Sequence, residues 1–307
     1  MHIYPDYYKE FRCIANRCKH NCCIGWEIDI DSSTLDFYKS VTGNLGKRLK
    51  DNISYNDTPH FILSDNERCP FLNTDNLCDI IIEAGEYNIC NICKEHPRFH
   101  NELPDRTESG LGLCCEEAAR IILSKRDCTT LECNTNIFTD DEIIILRDNV
   151  MTVLQNRNHS IKDRLQLSLK LCNTSTETRS IKTWFHVLST FEQLDKSWGE
   201  LLYYAKENYD NINLSAFDTH IKDRQHEYEQ FIIYLLYRHF ANSPDIREAQ
   251  SRLRFIDFAY NLIYTLGATI YHKNGDFSFD DQVELVRLFS SEIEYSDENL
   301  YTLFDMI

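Results

Sequence analysis

The chain has 307 residues, with 49 Asp and Glu against 32 Lys and Arg and a formal net charge of −17. That length accommodates about two domains, each with its own core. The acidic balance lacks the phosphate-neutralising bases of a non-specific nucleic-acid binder, and the absence of a run of about 18 apolar residues predicts no membrane span.

Residues 1–6 show no charged segment followed by an apolar one, so no secretory leader is expected and the cytoplasm is the expected compartment. Residues 1–12 are aromatic and polar, and 13–23 read as a ligand-bearing loop or a frayed helix. Residues 26–30 alternate with period two and predict a short strand. A helical pattern begins at Ser33, with Leu35, Tyr38, Val41 and Leu45 at helical spacing. Residues 61–63 and 69–72 predict extended pieces around a turn at 64–68, and 73–76 a second turn. Cys78 opens a brief helix that Gly85 ends, and Pro97 closes the segment 90–96. Residues 109–113 are short and extended, and 116–125 predict a helix whose first turn is acidic, as the helix dipole favours.

After residue 134 the character changes. Thr139 and Glu142 form a capping box ahead of a helix at 143–154. Helices are expected at 160–171, 181–194, 197–206, 216–239, 245–271 and 279–293, the last starting from 276–278. The expected fold class is mainly α: a small cysteine-rich metal-cluster domain with short β pieces over residues 1–133, followed by an all-α helical bundle over 134–307. The first is expected to carry the chemistry and the second to bind a substrate protein.

Twelve of the thirteen cysteines fall in the first 133 residues, and Cys172 stands apart. Packing does not need such a cluster, because one thiol fills a core about as well as a small aliphatic; thiolate chemistry does. Reduced cytosolic thiols favour metal ligation over disulfides. Three groups stand out: Cys13, Cys18, Cys22 and Cys23; then Cys69, Cys78, Cys90 and Cys93; then Cys114 and Cys115. Closely spaced thiols let one loop supply two ligands, and a distant pair then completes a tetrahedral or cubane site. Ten thiols exceed the four that one site needs, so one site plus structural thiols and two sites both remain open. Only one C-x2-C occurs, unlike a zinc ribbon. Position 25 is Gly, so the three-cysteine loop of radical enzymes that cleave S-adenosylmethionine is missing. Cys128 and Cys133 are read as incidental.

The runs Cys13-x4-Cys18-x3-Cys22-Cys23-x-Gly25-Trp26, Cys69-Pro70-Phe71-Leu72, Cys90-x2-Cys93-x2-His96-Pro97-Arg98 and Leu113-Cys114-Cys115-Glu116-Glu117-Ala118-Ala119 resemble the flagellin lysine N-methylase family, within the cysteine-rich metal-chelating type. The resemblance covers residues 7–125. It implies methyl transfer from S-adenosylmethionine to lysine ε-amines of flagellin, and a [4Fe–4S] cluster held by these cysteines, with zinc as the alternative. No G-x-G-x-x-G follows a strand, so the donor would not bind a Rossmann-type domain. The candidate donor-binding residues are Arg98 for a carboxylate, Glu108 for a ribose, Gly110 and Gly112 for close backbone approach, and Trp26. Glu108 and His96 are the candidate proton acceptors. Trp26 and Tyr7 offer aromatic faces to a methylated ammonium. Tyr228, Phe231, Tyr234, Tyr237 and Phe240 form a helix face that is either core or a groove for a helical partner. The competing functional class is a non-catalytic zinc- or iron-binding interaction or redox-sensing module.

Overall fold

The computed structural model describes residues 1–133, 139–176 and 179–307. It is mainly helical with a small sheet, and it divides into two compact units: Arg12–Phe99, and Met1–Phe11 together with His100–Ile307. These limits differ from the change of character at residue 134, which lies outside the described residues. The chain opens with strand β1 (His2–Pro5), which belongs to a sheet completed about a hundred residues later.

The unit Arg12–Phe99 comes next. Helix α1 (Ser32–Ser40) starts at Asp31, whose carboxylate accepts from Thr34 N at 3.0 Å. The predicted helical pattern continues past Val41 but breaks there, because Val41 is extended and α2 (Gly43–Asp51) begins anew. The two-residue strands β2 (Ile53–Ser54) and β3 (His60–Phe61) pair antiparallel. The strand expected at 26–30 is reduced to an isolated bridge between Asp29 and His60, since no partner strand runs beside the rest. Helix α3 (Asp79–Ala84) ends at Gly85, whose φ of 92° suits glycine. Helix α4 (Asn91–Glu95) follows Cys90. Ile28, Ile30, Leu35, Tyr38, Leu45, Leu49, Phe61 and Phe71 form the core, and Cys69 and Cys90 are buried within it.

The remaining elements build the other unit. Strand β4 (Arg98–Leu103), which straddles the boundary, turns through Pro104 and Asp105 into β5 (Arg106–Leu111). Helix α5 (Glu116–Ser124) follows, then β6 (Leu131–Cys133). The strand order is β4-β5-β1-β6, with β1 parallel to β5 (Ile3 opposite Glu108) and antiparallel to β6 (Ile3 opposite Cys133). Helices α6 (Glu142–Leu154), α7 (Ile161–Leu171), α8 (Ile181–Leu188), α9 (Lys196–Asn208), α10 (Leu214–His220), α11 (Gln225–His239), α12 (Ile246–Asn274), α13 (Phe279–Phe289) and α14 (Asp297–Met306) complete it. The second half is thus helical as expected, but it packs as one unit with a sheet.

The cap of α6 is Asp141, which accepts from Ile143 N and Ile144 N; Thr139 instead accepts from Asp141 N, one residue before the Glu142 N that a capping box from Thr139 requires. The expected helix at 216–239 is split by a 3₁₀ turn, Lys222–Arg224. Tyr228, Phe231, Tyr234, Tyr237 and Phe240 are all buried, so this face of α11 is core and presents no open groove.

An ion pair sits in that core. Arg147 of α6 and Glu108 of β5 are hydrogen-bonded, with side chains only 1% and 0% exposed. Removing one partner leaves the other charge uncompensated in a dry environment. Arg147→Ala is therefore expected to destabilise this unit by about 3–5 kcal/mol, measured by urea unfolding. A double variant, Arg147→Met with Glu108→Leu, is expected to recover most of that loss.

Candidate functional site: a convergent thiol set

The Cys22-Cys23 turn is built locally. Asn21 accepts from Cys23 N through its side chain at 2.9 Å and from Ile24 N through its carbonyl at 3.1 Å. Gly25 then takes a φ of +93°, a region L side chains rarely adopt. The reversal lets Gly25 N reach Glu67 O at 3.0 Å and Cys69 N reach Cys23 O at 2.9 Å. The first cysteine group is thereby tied by backbone to the second.

The loop from Cys69 to Cys78 is braced by Arg48 of α2. Its Nη2 donates to Asp79 at 2.7 Å and to Pro70 O at 3.3 Å, while the guanidinium lies 5.3 Å from the Phe71 ring centre. Asp79 also accepts from Asn73 at 3.0 Å. The third segment is held by Asp31. One carboxylate oxygen accepts from Asn91 N at 2.9 Å, in the first turn of α4, which Cys90 precedes and which carries Cys93. Burial alone would raise the Asp31 carboxyl, but donors from Ser33, Asn91 and Thr34 outweigh it and hold it below the usual carboxylate range.

Six thiols from these segments sense one another's charge. Cys22 is held down to about 4 by its hydrogen bond with Cys23 and, against the push of burial, by the neighbouring His96 imidazole. Cys23 is raised by the same bond, then by burial and by Cys22, Cys69 and Cys78. Cys90 and Cys93 repeat the arrangement. Their mutual bond lowers Cys90 and raises Cys93, with Cys23 and Cys69 adding to the rise. Burial pushes Cys69 up to about 11, and Cys78 and Cys90 add to it. Cys78 is raised by burial, with Asp79 and Cys90 contributing. The Tyr38 hydroxyl lies 3.6 Å from the Cys90 thiol. Within each pair the mutual hydrogen bond lowers one thiol and raises the other. Among the described residues, no three His, Cys, Asp or Glu side chains are arranged to hold a single metal ion.

The other expected site residues divide between the units. Cys13 is exposed, and the half-buried Cys18 donates to His20 O at 3.2 Å. The Trp26 indole N–H donates to Cys22 O, and its ring centre lies 5.8 Å from that of His96. Arg98 Nη1 donates to Lys94 O at 3.3 Å, at the end of α4. Trp26 and His96 are therefore gathered at Cys22. Cys114 and Cys115 lie in the other unit, at the start of α5. Burial pushes the Cys114 thiol up to about 12, with Tyr295 and Arg238 opposing it. Glu108 is the partner of Arg147, and Gly110 and Gly112 are buried in and just after β5. Tyr7 is buried, and Cys172 is buried at the end of α7. The braces Asp31 and Arg48 were not singled out in the sequence. Asp31 carried a visible signal, as an Asp four residues before Leu35, the first apolar position of α1; Arg48 carried none.

Six interacting thiols in a small mixed unit, on one chain with a helical unit, define a cysteine-rich, two-unit protein. Residues 175–307 match the model of the FliB lysine N-methylase C-terminal domain. The flagellar biosynthetic protein FliU of Salmonella muenchen is 28% identical over 134 residues, which are 41% of this chain and 79% of that protein. A lysine-N-methylase of Salmonella typhimurium is 25% identical over 142 residues, 43% of this chain and 35% of that protein, and one from Salmonella choleraesuis matches to the same extent. The aligned part thus spans about a third of those two lysine-N-methylases. No solved structure matches. These matches make the C-terminal part of the chain similar to lysine N-methylases. Among the described residues, no helix is long and apolar enough to cross a membrane.

Asp31→Ala removes a helix cap and the tether on Asn91. It is expected to cost about 1–2 kcal/mol in chemical unfolding of the whole chain. The folded carboxyl titrates below its unfolded value of about 3.9. Its stabilising effect is therefore complete above that pH and is lost as the pH falls through the folded value. The gap between wild type and Asp31→Ala should accordingly close only in strong acid.

Proposed function

We propose that the protein is a protein-lysine N-methyltransferase that moves a methyl group from S-adenosylmethionine to lysine ε-amines of flagellin, with an iron–sulfur cluster in the cysteine-rich unit. The match of residues 175–307 to a lysine N-methylase C-terminal domain carries this reading. The flagellar name of one relative supports the target. The acidic surface, at −17 overall, favours approach of a lysine-bearing partner.

Four of Cys22, Cys23, Cys69, Cys78, Cys90 and Cys93 would hold the cluster. A [4Fe–4S] centre takes one thiolate per iron. When bound, the cluster would supply Lewis-acidic iron beside the donor's amino and carboxylate groups. Methyl transfer itself is an in-line displacement by a neutral amine and needs alignment and a proton acceptor, not a radical. Trp26 and His96, which lie together at Cys22, are the candidates to meet a sulfonium and to accept a proton. Arg98, in the same unit, is the candidate for the donor carboxylate. Glu108 is less suited as a base, because Arg147 already neutralises it in the core.

Anaerobic purification with iron, sulfide and zinc quantified, followed by mass spectrometry of flagellin incubated with donor and protein, tests the reading. About four iron and four sulfide per chain with methylated lysines are expected. Zinc without iron, with failed reconstitution and unmodified flagellin, would leave the chain a metal-binding module without turnover. Cys93→Ala is expected to lose most of the metal. Cys172→Ala, whose thiol is packed at the end of α7, is expected to keep it.

A further inference from the structure

Glu67 is held in a backbone conformation that its side chain disfavours. Asn66 and Glu67 both take left-handed angles, with φ of 60° and 56°. Asn tolerates that region through its short polar side chain, whereas Glu pays for a Cβ crowded against the backbone. The surrounding pairings enforce the strain. Gly25 N donates to Glu67 O at 3.0 Å, and Ile24 and Arg68 form an antiparallel bridge beside it. Residue 67 is thereby set opposite Gly25. Because Gly25 has no side chain, a Glu67 carboxylate oxygen approaches it, 3.9 Å from where a Cβ would stand.

The carboxylate has no cation of its own. Among the described residues, the exposed Glu67 side chain makes no ion pair and no hydrogen bond. The adjacent Arg68 is committed elsewhere, donating to the carbonyls of Leu72 and Asn73 and to Asn76 Oδ1. Gly25 lies between the Cys22-Cys23 turn and the half-buried Trp26, whose indole N–H is fixed on Cys22 O beside His96. A glycine at position 67 would make the same turn without strain. What Glu67 adds is a negative charge over Gly25, next in sequence to an aromatic ring, and both groups attract an ammonium ion. Strain of this kind persists where a site needs the side chain that bears it.

We propose that Glu67 receives the ε-ammonium of the acceptor lysine and holds it at the Cys22–Trp26 turn. This assignment rests on the lysine methyltransferase reading and names the residue that recognises its protein substrate. A protonated lysine carries three N–H donors and no acceptor, so an uncommitted carboxylate is its natural partner. The role is binding only; the proton that leaves before methyl transfer goes to another group.

The test measures binding of monomeric flagellin to the anaerobically purified chain by titration calorimetry. Wild type, Glu67→Gln and Glu67→Gly are compared, each against flagellin with native and with chemically acetylated lysines. Wild type is expected to bind native flagellin roughly fivefold more tightly than Glu67→Gln does, and the gap is expected to vanish on acetylated flagellin. Glu67→Gly is expected to match Glu67→Gln in affinity while its urea midpoint rises, because glycine relieves the left-handed strain. Equal affinities of wild type and Glu67→Gln for native flagellin would overturn the assignment, as would a Glu67→Gly midpoint that falls together with affinity. A gap seen with S-adenosylmethionine and not with flagellin would also overturn it, by placing the donor's amino group at Glu67. Mass spectrometry of the same flagellin after incubation with wild type and donor tests the methyltransferase reading separately. Unmodified lysines with the affinity gap intact would reject that reading and leave Glu67 a lysine-binding residue.

Discussion

The cysteine-rich unit depends on a backbone bridge in which Cys69 N donates to Cys23 O at 2.9 Å and Gly25 N to Glu67 O at 3.0 Å. It joins two segments more than forty residues apart and lets the Cys22-Cys23 turn sense the thiols of the 69–78 loop and of Cys90 and Cys93. Gly25 makes the bond possible, because its positive φ reverses the chain where a Cβ would be strained. Without that reversal the thiols would be local pairs, each filling core as a small hydrophobe does.

The unit sets thiols into an apolar core. Cys69 and Cys90 lie where an isolated thiolate is costly, and burial raises Cys69 accordingly. A hydrogen bond within each of the pairs Cys22–Cys23 and Cys90–Cys93 lowers one thiol and raises the other. The braces are charged but peripheral. Arg48 and Asp31 reach backbone groups of the cysteine-bearing loops, so loop shape is set by hydrogen bonds and not by the thiols alone.

Local signals in the sequence mapped well onto local structure. Gly85 ends α3, Ser160 caps α7, Asp245 caps α12, and Ser278 with Asp281 makes a capping box for α13. What failed was non-local. Residues 2–5 show no alternation, yet they form the middle of a sheet because their partners lie at 106–111 and 131–133. Glu108 looked like a ligand-facing carboxylate beside two glycines. Its role in the fold is set by Arg147, thirty-nine residues away on a helix face with no charge pattern to reveal it. The cysteine spacing pointed to a shared thiol site. Which thiols share it depends on backbone pairings that spacing does not encode.

The strand order has a consequence for how the molecule is assembled. β1 is made first, but its parallel neighbour ends at Leu111 and its antiparallel neighbour at Cys133. The whole unit Arg12–Phe99 is therefore an insertion between the first strand of a sheet and the rest of that sheet. Its own pairings close shorter loops than the sheet does, and loop closure over greater separations slows folding. During synthesis the six thiols can gather while β1 still waits for its partners, so the cysteine-bearing loops take shape ahead of the host that encloses them in sequence.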